Sequence, residues 1–240
     1  MGRPNSWWKG AEMWTELAAP PYPARLEATP PERLSRWLWL VKWLLIIPHV
    51  IVLVFLWIAF LVLSVIAFFA ILFTARYPRG IFNFNVGVLR WAWRVGYYSS
   101  SAFATDAYPP FTLGEVAGYP ATFTVEYPER LSRGLVLVKW WLLAIPHYFV
   151  LALLLGPQVG YTVEDQTRYQ TQIGLIGVLA LVAVVVLLFA GHYPRGVYDL
   201  IVGLNRWVYR VTAYAGLMTD VYPPFRLDMG PKEPTTPPPS

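Results

Sequence analysis

Between Lys42 and Arg76 the chain carries no Asp, Glu, Lys or Arg. A helix needs about 20 apolar residues to cross the roughly 30 Å hydrocarbon layer of a bilayer, and this run is longer than that. With the preceding turn from Leu34 it would extend roughly 60 Å as one helix, too far for a single crossing. The run therefore predicts two closely joined helices, with a turn near residues 56–59. Composition agrees: 14% of residues are charged and 56% are hydrophobic, where soluble domains carry about 25% charged residues. An integral membrane protein is predicted. The net charge of +5 would suggest nucleic acid in a soluble chain, but here the basic residues sit at the ends of apolar runs, which points to a membrane surface and to no nucleic-acid partner. The absence of cysteine excludes disulfide scaffolds, thiolate metal sites and cysteine nucleophiles.

The chain is a tandem duplication. Pro31-Glu32-Arg33-Leu34-Ser35-Arg36 returns unchanged at 128–133, Leu40-Val41-Lys42-Trp43 returns at 137–140, and Ile47-Pro48-His49 returns one inserted residue later at 145–147. Tyr77-Pro78-Arg79-Gly80 matches 193–196, Arg90-Trp91 matches Arg206-Trp207, and Asp106 to Phe111 matches Asp220 to Phe225 with one change. Four regions follow: an interfacial N-terminal segment 1–21 with Trp7, Trp8 and Trp14, repeat 1 at 22–113, repeat 2 at 119–227, and a proline-rich tail 228–240 expected to be disordered. The spacing between copies grows from 97 to 114 residues, nearly all of it at 156–172, which is polar and reads as a loop between two apolar segments.

Residues 135–155 and 173–191 are each long enough to cross, so each copy is expected to be a helical hairpin. That arrangement leaves 18 of the 19 basic residues on one side and only Arg168 opposite, making the basic side and both termini cytoplasmic. If residues 81–104 and 197–217 crossed as well, Arg90, Arg94, Arg206 and Arg210 would sit in hydrocarbon at about 2.5–3.5 kcal/mol each. Asn83, Gly87, Arg90 and Arg94 form a single polar stripe, repeated by Asp199, Gly203, Arg206 and Arg210, so these segments read as amphipathic helices in the interface. Four extended pieces, 24–29, 106–111, 121–126 and 220–225, are expected to pair into a small cytoplasmic sheet.

The set Pro-Glu-Arg-Leu-Ser-Arg, Lys-Trp, Ile-Pro-His, Tyr-Pro-Arg-Gly, Arg-Trp and Asp-x-Tyr-Pro-Pro-Phe resembles a family of actinobacterial membrane proteins described only as a domain of unknown function. The resemblance covers residues 22–227 and implies a bacterial plasma-membrane location, without an activity.

His49 and His147 occupy equivalent positions, where facing imidazoles would hold haem or a metal; the stronger reading is a structural hydrogen bond beside a proline. The inserted residue at Trp140-Trp141 would rotate His147 by about 100° relative to its lysine, against symmetric ligation. Lys42 and Lys139 are read as snorkelling to the interface rather than as intramembrane polar sites. Arg79, Arg90, Arg94, Arg195, Arg206 and Arg210 are candidate ligands for anionic lipid headgroups. Asp106 and Asp220 are expected to neutralise an arginine of their own copy. No Walker loop, Ser/His/Asp set or paired carboxylates at one depth is visible. The expectation is an all-α polytopic membrane protein: four transmembrane helices, two interfacial helices and a small β element. It would act as a non-enzymatic scaffold or accessory subunit, without catalytic, metal or cofactor residues, whose partners are anionic phospholipid and another membrane protein or a second copy. The alternatives are a small transporter or channel at the repeat interface, then a haem-binding electron carrier.

Overall fold

A computed structural model of the chain describes residues 21–31, 34–156, 158–163, 166–171 and 173–232. The expected interfacial segment before residue 21 lies outside them, as does the part of the 228–240 tail beyond residue 232; residues 228–232, expected to be disordered, are instead held in place, Asp228 pairing with Arg210 and Pro231 O accepting the Ala28 N–H. The described chain is mostly helical. In the first copy, strand β1 (Ala24–Ala28) leads to a short helix α1 (Trp39–Leu45), to α2 (Ile47–Thr74) and to α3 (Arg79–Tyr98). The second copy has β2 (Ala121–Val125), α4 (Arg133–Val138), a π-helical turn Lys139–Leu143, α5 (Ile145–Leu155), a hairpin of β3 (Gln158–Val163) and β4 (Gln166–Thr171), then α6 (Leu175–Ala190) and α7 (Arg195–Ala215).

The expected turn at residues 56–59 is absent. α2 is one helix of 28 residues, about 42 Å long, because nothing between Val50 and Thr74 breaks it. Pro48 lies in its first turn, where a missing backbone N–H costs no hydrogen bond. The helix ends at Ala75 in the left-handed region, φ 58°, and Pro78 then precedes α3. α2 is long and apolar enough to cross a membrane, and only 17% of its most apolar stretch is buried.

The second copy carries the same column, interrupted. A Cβ on Gly174 would lie 2.2 Å from the Gly156 nitrogen, so α6 starts where α5 ends, and the insertion leaves and re-enters the column at one point. Phe60, Ala67 and Ile71 face inward from α2; Ile176, Ala183 and Leu187, offset by the same number of residues, face inward from α6. Within the 156–172 insertion, read from the sequence as a loop, Gln158–Val163 and Gln166–Thr171 pair as an antiparallel hairpin.

Strands β1 and β2 pair antiparallel with Leu26 opposite Phe123 and Ala24 opposite Val125. Leu26 and Phe123 are equivalent positions of the two copies, so a local twofold axis passes between them, perpendicular to the ribbon. Trp93 and Tyr209, also equivalent, meet on that axis with ring centroids 5.7 Å apart. Crossed hydrogen bonds complete the symmetry: Tyr77 donates to the Gly216 carbonyl at 3.4 Å and Tyr193 to that of Ala102 at 2.5 Å. Each copy begins at the far end of the other's column. Leu131 N–H bonds to Ala75 O, and a Cβ on Gly191 would strike Arg36. The two columns therefore run antiparallel.

The layering follows from α3 and α7, which bury one side against the columns and the other against the ribbon. Trp91 bonds to His49 of α2 while Trp93 bonds to the Glu27 carbonyl of β1, and two residues on a helix are about 200° apart. In α7, Trp207 faces α5 through His147 and Tyr209 faces Phe123 of the ribbon. α3 and α7 are thus the middle layer, correcting their reading as separate interfacial helices. Of the four extended pieces only 24–28 and 121–125 form the ribbon; Asp106 to Phe111 and Asp220 to Phe225 run without strand structure, because paired prolines remove the N–H groups a ladder needs.

Candidate functional site: a duplicated lysine and histidine lock

Each repeated motif supplies one part of a lock that fastens the Asp-x-Tyr-Pro-Pro-Phe segment to its own column. In the first copy, Lys42 Nζ lies 2.8 Å from Asp106 Oδ1 and donates to the Thr105 carbonyl at 2.7 Å. Asp106 Oδ2 accepts the Ser35 backbone N–H at 2.6 Å, and the Tyr98 ring stands 5.1 Å from the ammonium. Two turns on, Trp91 Nε1–H donates to His49 Nδ1 at 3.0 Å, and the imidazole stacks on Phe111 at 3.9 Å. Tyr108 flanks the imidazole and donates its hydroxyl to the Leu45 carbonyl, at the end of α1, where the last carbonyls have no intrahelical donor.

The second copy reproduces every part. Lys139 lies 2.7 Å from Asp220 and 3.1 Å from the Thr219 carbonyl, and Ser132 N–H donates to Asp220 at 2.6 Å. Trp207 donates to His147 at 3.1 Å, Phe225 stacks on that ring at 4.3 Å, and Tyr222 bonds to the Leu143 carbonyl. The inserted residue does not rotate His147 away from its lysine. It is absorbed in the π-helical turn Lys139–Leu143, which takes up one extra residue within a helix and restores the phase beyond it.

Two expectations are corrected by this geometry. Lys42 and Lys139 are 2% and 0% exposed, held by a carboxylate rather than snorkelling, because an unpaired buried ammonium would be too costly. Asp106 and Asp220 do pair within their own copy, but with lysine rather than arginine. Each imidazole is enclosed by its own copy's rings. With Nδ1 accepting from tryptophan, the proton of the neutral ring sits on Nε2, and neither nitrogen presents a free lone pair to a metal. Among the described residues no cluster of three or more metal-ligating side chains occurs.

The arginine stripes turn inward as well. Arg90 donates to the carbonyls of Phe123 and Leu113 and pairs with Glu115 at 3.0 Å; Arg206 donates to the carbonyls of Leu26, Asp228 and Gly230. These two equivalent residues thus clasp the axial pair of the ribbon. Arg94 donates to the carbonyls of Thr112 and Gly114, and Arg210 pairs with Asp228 at 2.7 Å. Arg94, Arg206 and Arg210 are no more than 2% exposed, so the outward-facing headgroup stripe read from the sequence is not what they form. Burial holds Arg90 and Arg94 below the usual guanidinium range; Glu115 opposes this for Arg90, while Arg90 adds to it for Arg94. Arg79 and Arg195 remain exposed, Arg79 lying over the Tyr127 ring.

The partners of the lock, Trp91, Trp207, Tyr98, Ser35, Ser132 and Tyr214, whose ring stands 5.7 Å from the Lys139 ammonium, escaped the sequence reading as functional residues. Their signal was the recurrence itself, since each lies in or beside a repeated motif. The molecule thus belongs to a class of duplicated helical proteins with an exposed apolar column, fastened by one lock per copy. The chain is a member of the family described as domain of unknown function DUF4389, whose model matches residues 36–112 and 169–226. The second matched segment begins inside the inserted hairpin that splits the second column. No curated protein and no solved structure matches the chain.

Proposed function

We propose that the protein is a non-enzymatic membrane scaffold or accessory subunit whose two apolar columns lie side by side in one leaflet, with the ribbon facing water. One observation carries this reading: the apolar columns and the polar ribbon lie on opposite sides of α3 and α7. Phe55, Leu61, Val65 and Phe73 of α2 are 68%, 62%, 58% and 72% exposed, and Phe149, Leu153 and Phe189 of the second column are 77%, 67% and 82% exposed. An apolar face of this extent is a membrane or partner surface rather than a solvated one. The far side presents Arg25, Thr122 and Thr124, all exposed. Were the columns to cross the bilayer, the twofold axis at their middle would bring those ribbon residues to hydrocarbon depth, at a cost of several kcal/mol for Arg25 alone.

The ends of the columns suit this placement. Trp37, Trp43, Trp140 and Trp141 are exposed near the column starts, and Arg36, Arg76, Arg79, Arg130, Arg133 and Arg195 are exposed around both ends. Tryptophan and arginine at the rim of an apolar face are what an interfacial helix uses to seat itself among anionic headgroups. This arrangement replaces the four-crossing hairpins and assigns the headgroup contacts to the rim. The buried lock serves to hold the columns level against the middle layer.

Single cysteines test it, since the chain has none of its own. Because the columns are antiparallel, positions 79 and 195 lie at opposite ends. In intact cells an impermeant maleimide should treat Arg79→Cys, Thr124→Cys and Arg195→Cys alike, sparing all three if the leaflet is cytoplasmic. Labelling of one of positions 79 and 195 with protection of the other would establish crossing columns and end the in-plane reading.

A further inference from the structure

The duplication supplies an internal control for one buried charge. Arg94 and Arg210 are equivalent and equally buried, at 1% and 2% exposure. Arg210 pairs with the Asp228 carboxylate at 2.7 Å, a carboxylate that Arg226 shares at 3.0 Å. Asp228 stands three residues after Phe225, and the residue three after Phe111 is Gly114. The first copy therefore has no carboxylate at that position, and among the described residues the Arg94 guanidinium donates to the carbonyls of Thr112, Gly114 and Arg90. Its NH1 atom is buried without a hydrogen-bond partner. Beside it opens a pocket of about 510 Å³ lined by Arg90, Arg94, Glu115, Tyr119, Thr122 and Phe123, among others.

We infer that this pocket binds a small oxyanion, a phosphate or phosphate-ester group, which takes at Arg94 the place that the Asp228 side chain takes at Arg210. A guanidinium with an unused N–H edge matches an oxyanion in both charge and geometry. The depressed proton affinity of Arg94, from burial and from Arg90 alongside, marks a cation that its own chain leaves under-compensated. Glu115 is the competing charge: it reaches Arg90 at 3.0 Å from a side chain that is 72% exposed, so it can swing to water when an anion enters. The site lies on the ribbon side, apart from Arg79 and Arg195, and does not depend on how the columns sit in the membrane.

The test uses the full chain purified in an uncharged detergent. Calorimetric titration is run in two arms, inorganic phosphate and phosphatidylglycerol in mixed micelles, with phosphatidylcholine as the blank. One equivalent of phosphate, of phosphatidylglycerol or of both should bind; the arm that saturates tells a soluble oxyanion from a lipid headgroup. Gly114→Asp, which installs the second copy's carboxylate, should weaken binding about tenfold or more. Gly114→Ala should leave it within about twofold, since the nearest atom to its Cβ is Thr112 Oγ1 at 3.4 Å. Glu115→Gln, on an exposed side chain, should tighten binding several-fold by removing the competing charge. Absence of binding in both arms, equal weakening by Gly114→Ala and Gly114→Asp, or an unchanged affinity in Glu115→Gln would each overturn the inference.

Discussion

Replacing Asp106 by Asn is the sharpest probe of the lock. The substitution keeps the shape and an acceptor for the Ser35 N–H, but removes the carboxylate that lies 2.8 Å from Lys42. Lys42 is 2% exposed and would keep only the Thr105 carbonyl and the face of Tyr98. Leaving one partner of a buried ion pair uncompensated costs about 3–5 kcal/mol. Asp106 is itself 30% exposed, so water already screens part of the interaction and the lower end, roughly 3 kcal/mol, is expected. For a chain of this size that lowers the unfolding midpoint by roughly 6–12 °C. The assay is thermal unfolding in an uncharged detergent, followed by tryptophan fluorescence. Lys42→Met combined with Asp106→Asn should recover most of the loss, because no buried charge is then left unpaired. The same pair of measurements at Lys139 and Asp220 should agree. A midpoint for Asp106→Asn within about 1 °C of the parent, or a double variant no better than the single one, would refute the reasoning.

Three further outcomes are expected. Tyr77 and Tyr198 are both pushed up to about 12 by burial, so their folded forms keep protons that the unfolded chain loses near pH 10; the stability they contribute is complete below pH 10 and drains away toward pH 12 at about 1.4 kcal/mol per pH unit per tyrosine. Alkaline unfolding should therefore soften in Tyr198→Phe, and an identical pH profile in parent and variant would count against it. Phe123→Ala opens a cavity at the axis, where the ring is 1% exposed, and should cost about 3–5 kcal/mol in a denaturant titration, whereas an equal loss in Thr124→Ala on the exposed face would deny the ribbon its packing role. His49→Phe keeps the stack on Phe111 but strands the Trp91 indole N–H, at about 1–3 kcal/mol; adding Trp91→Phe should recover part of it, and a non-recovering pair would show that the hydrogen bond contributes nothing.

Much of this molecule was legible one residue at a time. The duplication needed only the order of the motifs, and the apolar columns needed only the absence of charge between Lys42 and Arg76, because insolubility in water is a property each apolar side chain carries by itself. Helix capacity was legible for the same reason, as was the pairing of Asp106 and Asp220 within their own copies. The partner of each group depended on distances across the fold. The 3.6-residue period that lines up Arg90 and Arg94 says they share a face, but whether that face meets headgroups or the carbonyls of Phe123, Thr112 and Gly114 depends on a ribbon made from segments about 100 residues apart in the chain. An extra residue at Trp140-Trp141 rotates everything after it by about 100° in an ideal helix; only packing against Trp207, Phe225 and Asp220 makes a π-helical turn worth its poorer hydrogen bonds. The turn expected at residues 56–59 rested on the thickness of a bilayer crossed end to end, and the tertiary structure answered with a continuous helix, since a column packed lengthwise on α3 can be as long as the surface it covers.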